Sequence, residues 1–204
     1  MSKKFSVSVN KKIEKFNKKI KVPGDKSCSI RALLLASQCI GESKIFNLLE
    51  SIDVLDCLKV LRTLGVKIVK RKNHYSVYGN GLNSFKIKRK LTRLYCGNSL
   101  TTGRLLAGLL STIPSKFYIY GDASANRRDF MRVIEPLEKV GAQFFPRKKT
   151  LPLTIEGTSL PLAQKHVEIL GSSQVKGLIL LSALSTPGIT TVEELKSKSS
   201  RTHT

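Results

Sequence analysis

Residues 29–49 read SIRALLLASQCIGESKIFNLL and residues 101–121 read TTGRLLAGLLSTIPSKFYIYG. In both, an apolar run with helical spacing starts beside an arginine and gives way to a short strand-like stretch. Each is followed by a polar segment and then by a second unit, VLDCLKVLRTLGVKIVKRKNHYSVYGNG (54–81) and FMRVIEPLEKVGAQFFPRKKTLPLTIEGT (130–158). These read as a helix ending in Leu-Gly or Val-Gly and then a hairpin. Arg31 to Arg104 is 73 residues, and Gly65 to Gly141 and Gly81 to Gly157 are 76 each. Three landmarks in register identify an internal repeat. A third copy begins at GSSQVKGLILLSALSTPGITTVEEL (171–195), with Lys176 in the arginine's place 72 residues after Arg104, and it stops before its second helix. Each copy predicts β-α-β-α-β-β, so the fold class is α/β, with helices between two-sided sheets around an approximate threefold axis. The copies occupy about 22–90, 91–160 and 161–204, two complete and the third truncated. Gly65 and Gly141 fit helix C′ positions, where a positive φ suits glycine.

The first copy opens with KVPGDKSCSIRALLLAS (21–37), which places Lys26, Ser27 and Arg31 at a helix start. Cations are disfavoured there, because unpaired N–H groups make that end positive. An anion held by N–H groups, hydroxyls and cations together would reward them. A Ser27 cap with both cations in water explains this one stretch equally well. Three starts of the same kind, GDKSCSIR, GNSLTTGR and GSSQVK, are explained poorly by capping. On a threefold axis they converge into one anion pocket.

The chain has 204 residues, 41% of them hydrophobic and 6% aromatic, which suits a globular core. No apolar run reaches the ~18 residues needed to span a bilayer, and no leader-like segment follows MSKKFSVSVNKK, so the expected compartment is the cytoplasm. The four cysteines lack metal-ligand spacing and read as reduced thiols. The net charge of +22 suits a strongly anionic small molecule or nucleic acid. The basic runs carry no RNA-binding signature, which favours a lysine-rich surface over a nucleic-acid partner.

At these same residues the sequence resembles the 5-enolpyruvylshikimate-3-phosphate synthases, the 3-phosphoshikimate 1-carboxyvinyltransferases. VPGDKSCSIRALLLAS resembles that family's PGDKSISHRALLLAA, and GNSLTTGRLLAGLL resembles GNSGTTMRLLAGLL. GDASANRRDFMRVIEPLEKVGA, GSSQVKGLILLSAL and KSSRTHT resemble three further family segments, in the family's order. The sister enolpyruvyl transferase acting on UDP-N-acetylglucosamine normally has Lys-Asn where this chain has Lys26-Ser27, and the RNA 3′-phosphate cyclases lack the motif set.

The resemblance implies an enolpyruvyl transferase-like domain, an inside-out α/β barrel, and transfer of enolpyruvyl from phosphoenolpyruvate to shikimate 3-phosphate in chorismate and aromatic amino acid biosynthesis. It implies no metal or organic cofactor. Lys26 would touch both substrates. Ser27, Arg31, Ser172, Ser173 and Ser200 would hold shikimate 3-phosphate, Gln174 would lie between the substrates, and Arg128 would bind phosphoenolpyruvate. His74, His166 and His203 receive no role.

Three positions depart from the pattern: Leu100 stands at a family glycine, Gly103 at a methionine and Asp129 at a proline. Leu100 should crowd phosphoenolpyruvate. Family members are also about twice as long, and the half without a counterpart here supplies the general base, so no catalytic residue is named and a separate C-terminal half would complement the chain. Residues 1–21 would belong to the other domain and pack poorly alone, leaving 22–204 as the shikimate-3-phosphate-binding domain. The rival reading is a non-catalytic basic protein that keeps the fold and binds RNA or another polyanion.

Overall fold

The computed structural model describes residues 6–195. Residues 6–21 are exposed throughout and form neither helix nor strand. Helix α1 (Lys26–Gln38) is followed by strand β1 (Ile40–Phe46), helix α2 (Ile52–Thr63) and the strands β2 (Lys67–Lys70) and β3 (His74–Asn80). Then come β4 (Leu91–Tyr95), α3 (Leu100–Leu110), β5 (Lys116–Tyr120), α4 (Met131–Val140), β6 (Gln143–Phe145) and β7 (Leu153–Glu156). The described part closes with β8 (Lys165–Glu168), α5 (Ser173–Ala183) and β9 (Thr191–Glu194).

Three sheets follow the same plan. The second has the order β4-β5-β7-β6, in which β4 runs parallel to β5 and the other pairs are antiparallel. The first, β1-β3-β2, reproduces β5-β7-β6, and the third, β8-β9, reproduces the parallel pair β4-β5. One expectation is corrected here. The first copy has no leading strand among the described residues, so β1 forms an outer edge. The residues before α1, 6–21, are exposed throughout, so ordering them as a strand would gain too little apolar burial to offset its entropy cost.

The helices end as the glycines predict: Gly141 closes α4 at φ +110° and Gly65 follows α2 at φ +84°. The core is built on α1, α3 and α5. Helix α3 buries nearly every residue, including Leu105, Leu106, Leu109 and Leu110, as a helix enclosed by neighbours must. It approaches α5 closely because Gly108 has no side chain; a Cβ there would strike the Leu178 backbone. Helix α2 lies on α1, and α4 lies on α3 and α5. Among the described residues no helix is long and apolar enough to cross a membrane.

Candidate functional site

Helix α1 is capped by Asp25, whose carboxylate accepts the Cys28 N–H at 2.7 Å. The Ser27 cap considered from the sequence is not formed. An acidic cap offsets part of the cost of cations in the first turn. Lys26 pairs with Asp53 of α2, at 3.1 Å, and its side chain stays 43% exposed. Arg31 points elsewhere. Its Nη1 and Nη2 donate to the carbonyls of Ser27 (3.3 Å) and Ser173 (3.4 Å), tying the start of α1 to the start of α5, and burial lowers its pKa.

The expected convergence of three helix starts is present. A polar cavity of about 230 Å³ is lined by Lys26 from α1, Leu100, Thr101 and Arg104 from α3, Gln174 from α5, and Asp53, Asn98 and Arg128 beside them. The Gly97–Ser99 turn brings Asn98 in. Gly97 sits at φ +58° against Asp56, whose carboxylate a Cβ would strike. Ser99 then caps α3, its hydroxyl accepting the Thr102 N–H at 3.3 Å.

Two hydrogen-bond chains organise the cavity. In one, Asn98 donates from Nδ2 to Asp122 (2.9 Å) and accepts from Arg128 Nη2 at Oδ1 (3.1 Å). In the other, Gln174 donates to Thr101 Oγ1 (3.1 Å) and accepts from Arg104 Nη1 (2.6 Å), while Arg104 Nη2 donates to the Asp129 carbonyl (2.6 Å). The Arg104 Nε is buried without a partner, and burial, reinforced by Arg132 and Arg128, lowers the pKa of this guanidinium. Asp129, in place of the family's proline, accepts the Met131 N–H at 2.7 Å and so begins α4. Leu100 is 4% exposed and occupies the wall at the foot of α3. Gly103 faces Cys96 and Ile119, and a Cβ there would meet only ordinary contacts.

The expected residues divide into groups. Lys26, Leu100, Arg128 and Gln174 share the cavity. Ser27, Arg31 and Ser173 meet at the adjoining α1–α5 junction through the Arg31 bonds. Ser172 caps α5, its hydroxyl accepting the Val175 N–H at 3.3 Å while its own N–H donates to Glu168 at 3.4 Å. Ser200 lies outside the described residues.

Asp53, Asn98, Thr101 and Arg104 line the cavity without having been singled out. Arg104 had a signal, as the repeat partner of Arg31, but register alone does not say which of two equivalent arginines turns inward. Lys176, the third equivalent, turns to neither place; it pairs at 3.0 Å with Glu194 in β9, with both side chains largely buried. With three cations against one carboxylate, the cavity suits a small anion and offers amide and hydroxyl groups to orient it.

A family model described as EPSP synthase (3-phosphoshikimate 1-carboxyvinyltransferase) matches residues 10–204. The 3-phosphoshikimate 1-carboxyvinyltransferase of Ruegeria sp. (strain TM1040) is 41% identical over 178 residues, which is 85% of this chain and 38% of that protein. The protein of the same name from Nitrobacter winogradskyi is 37% identical over 201 residues, or 95% of this chain and 44% of that one. The solved EPSP synthase from Acinetobacter baumannii superposes with a TM-score of 0.80 at 34% identity, covering 87% of this chain and 40% of its own. The chain therefore spans about two fifths of the length of the curated relatives it matches.

Proposed function

This chain belongs to the EPSP synthase (3-phosphoshikimate 1-carboxyvinyltransferase) family, and from that premise we propose that it is the shikimate-3-phosphate-binding half of an enzyme that transfers enolpyruvyl from phosphoenolpyruvate to shikimate 3-phosphate. The observation that carries this reading is the meeting of the α1, α3 and α5 starts on one cavity bearing Lys26, Arg104 and Arg128. Both substrates are polyanions. Bringing them together requires fixed cations to reduce their repulsion and fixed donors to orient them before reaction.

In this reading Lys26 lies between the two substrates. Ser27, Arg31, Ser172 and Ser173 meet shikimate 3-phosphate at the α1–α5 junction, with Gln174 between that ligand and phosphoenolpyruvate. Arg128 binds phosphoenolpyruvate, and Leu100 restricts the space for it. Residues 22–204 form the binding domain, an inside-out α/β barrel of repeated β-α-β-α-β-β units, supported by the shared sheet order. Residues 1–21 belong to a second domain, supported by the exposure of residues 6–21. A complementing C-terminal half supplies the general base and the remaining phosphoenolpyruvate contacts, so the chain alone binds without turnover. The free thiols Cys28 and Cys39 suit a cytoplasmic location.

Calorimetry tests the reading, with shikimate 3-phosphate and an RNA oligomer each titrated at two salt concentrations. Saturable binding of shikimate 3-phosphate that weakens only modestly with salt is expected. Binding of RNA alone, with a steep salt slope, would replace this reading by that of a basic polyanion-binding protein.

A further inference from the structure

We propose that the cleft between the end of α2 and the start of β4 is a second anion-binding site, for a small molecule carrying two adjoining phosphate groups. The cleft is a cavity of about 290 Å³ lined by Thr63 of α2, by Lys86, Lys88 and Arg89 of the segment joining β3 to β4, and by Thr92 and Arg93 of β4. It shares no residue with the cavity at the starts of α1, α3 and α5. Four cations and no carboxylate line it, and none of the four enters an ion pair among the described residues. Elsewhere on the surface Lys70, Lys116 and Lys165 each find a glutamate. Unpaired cations gathered on one concave wall repel one another, and an anion seated among them removes that cost.

Local structure holds the cations in place. Phe85 belongs to the core and Ile87 packs against it, which leaves the alternate residues Lys86 and Lys88 exposed. The Lys86 N–H donates to the Leu64 carbonyl at 2.9 Å, and Gly65 lets the segment come this close, because a Cβ at its φ of +84° would strike the Lys86 side chain. Strand β4 is the edge of its sheet, so residues from both its faces reach the cleft. The Arg93 guanidinium lies over the Tyr118 ring, 4.8 Å from its centroid. A guanidinium so placed keeps N–H groups for phosphate oxygens.

Thr92 is the residue that points to a ligand. It is buried in the alternating strand β4, at 8% exposure, and its Oγ1 has no hydrogen-bond partner. The Thr63 hydroxyl, by contrast, donates to the Lys59 carbonyl at 3.0 Å. A buried hydroxyl left unpaired is unfavourable, and beside four cations the partner that suits it is an anion's oxygen, to which it donates. A single phosphate, at roughly −2, would leave about half of the charge unmatched, whereas two adjoining phosphates match it more fully. The inference stands on this cleft alone, whatever ligand the first cavity takes.

The test titrates inorganic pyrophosphate into this chain by calorimetry in magnesium-free buffer, with and without Arg128→Gln in the first cavity. A saturable site that survives Arg128→Gln is expected. The paired changes Lys88→Gln and Arg89→Gln should weaken that site at least about tenfold, and orthophosphate should bind it at least about tenfold more weakly than pyrophosphate. Both side chains are exposed, so the circular dichroism of the paired variant should match the parent's. Thr92→Val should weaken the site about threefold or more with the melting temperature held or raised, since the hydroxyl has no partner to lose. The proposal is overturned by an absence of saturable binding, by a site that Arg128→Gln abolishes, by one indifferent to the Lys88 and Arg89 changes or to Thr92→Val, or by orthophosphate binding as tightly as pyrophosphate. An RNA oligomer that binds through Lys88 and Arg89 where pyrophosphate does not would overturn it as well.

Discussion

Arg104 Nη1 donates a 2.6 Å hydrogen bond to Gln174 Oε1 across 70 residues of sequence, so the start of α5 is held in place by the first turns of α3. The same guanidinium holds the Asp129 carbonyl beside Arg128. Lysine keeps the charge but lacks the planar fork. Arg104→Lys should lower shikimate 3-phosphate affinity by about 10- to 30-fold and unfolding free energy by about 1–3 kcal/mol, measured by calorimetry and urea denaturation. Unchanged affinity in a folded variant would remove Arg104 from the site.

Leu100 fills the cavity wall where the resembling family has a glycine. Leu100→Gly should raise phosphoenolpyruvate affinity while costing about 2–5 kcal/mol of stability through the buried volume lost. Titrating phosphoenolpyruvate into the folded variant checks this, and an affinity identical to the parent's counts against steric exclusion.

Lys176 and Glu194 form an ion pair with side chains 13% and 15% exposed, whereas Lys165 and Glu193 form one at 67% and 56%. Breaking the first disturbs a charge held largely away from water, and breaking the second returns both groups to solvent. Lys176→Met should cost clearly more than Lys165→Met, which should cost under about 1 kcal/mol, compared by thermal melting. Equal losses would contradict the burial argument.

Burial pushes the Cys57 thiol up to about 12, and Cys96, also buried, is raised for the same reason. A native pKa above the unfolded one stabilises the fold fully below the unfolded value, and that stabilisation is lost as pH rises through the native value. Stability should therefore fall between about pH 9 and 12, and less so in Cys57→Val. At pH 8, iodoacetamide should label Cys28 and Cys39 in the native chain, with Cys57 and Cys96 labelled only after denaturation.

Residues 6–21 bury nothing. Their amides should exchange with solvent at near-unprotected rates in the isolated monomer, while those of α3 exchange only through global opening. Strong protection across 6–21 would show that the segment packs by itself.

Much of the fold was legible because its signals are local. Helical spacing, the glycines ending α2 and α4, and the hairpins recur at constant offsets, and each needs only a few adjacent residues to form. The leading strand of the first copy was not legible, because a parallel strand exists only where a neighbour accepts it. The lysine-rich segment before α1 is refused that place. Ser27 was considered as a cap because serine favours the role, but Asp25, one residue ahead of the helix, takes it with a stronger acceptor.

Local signals along the chain are enough for the repeated units and for the placing of hydroxyls and cations at three helix starts, since spacing and capping act within a few residues. Which cations serve the cavity depends on packing between the copies. Arg31, Arg104 and Lys176 occupy equivalent places in their copies, yet one braces the α1–α5 junction, one enters the cavity and one pairs with Glu194. A long cation goes to whichever carbonyl, amide or carboxylate packing leaves within reach, and those neighbours come from other copies far along the chain.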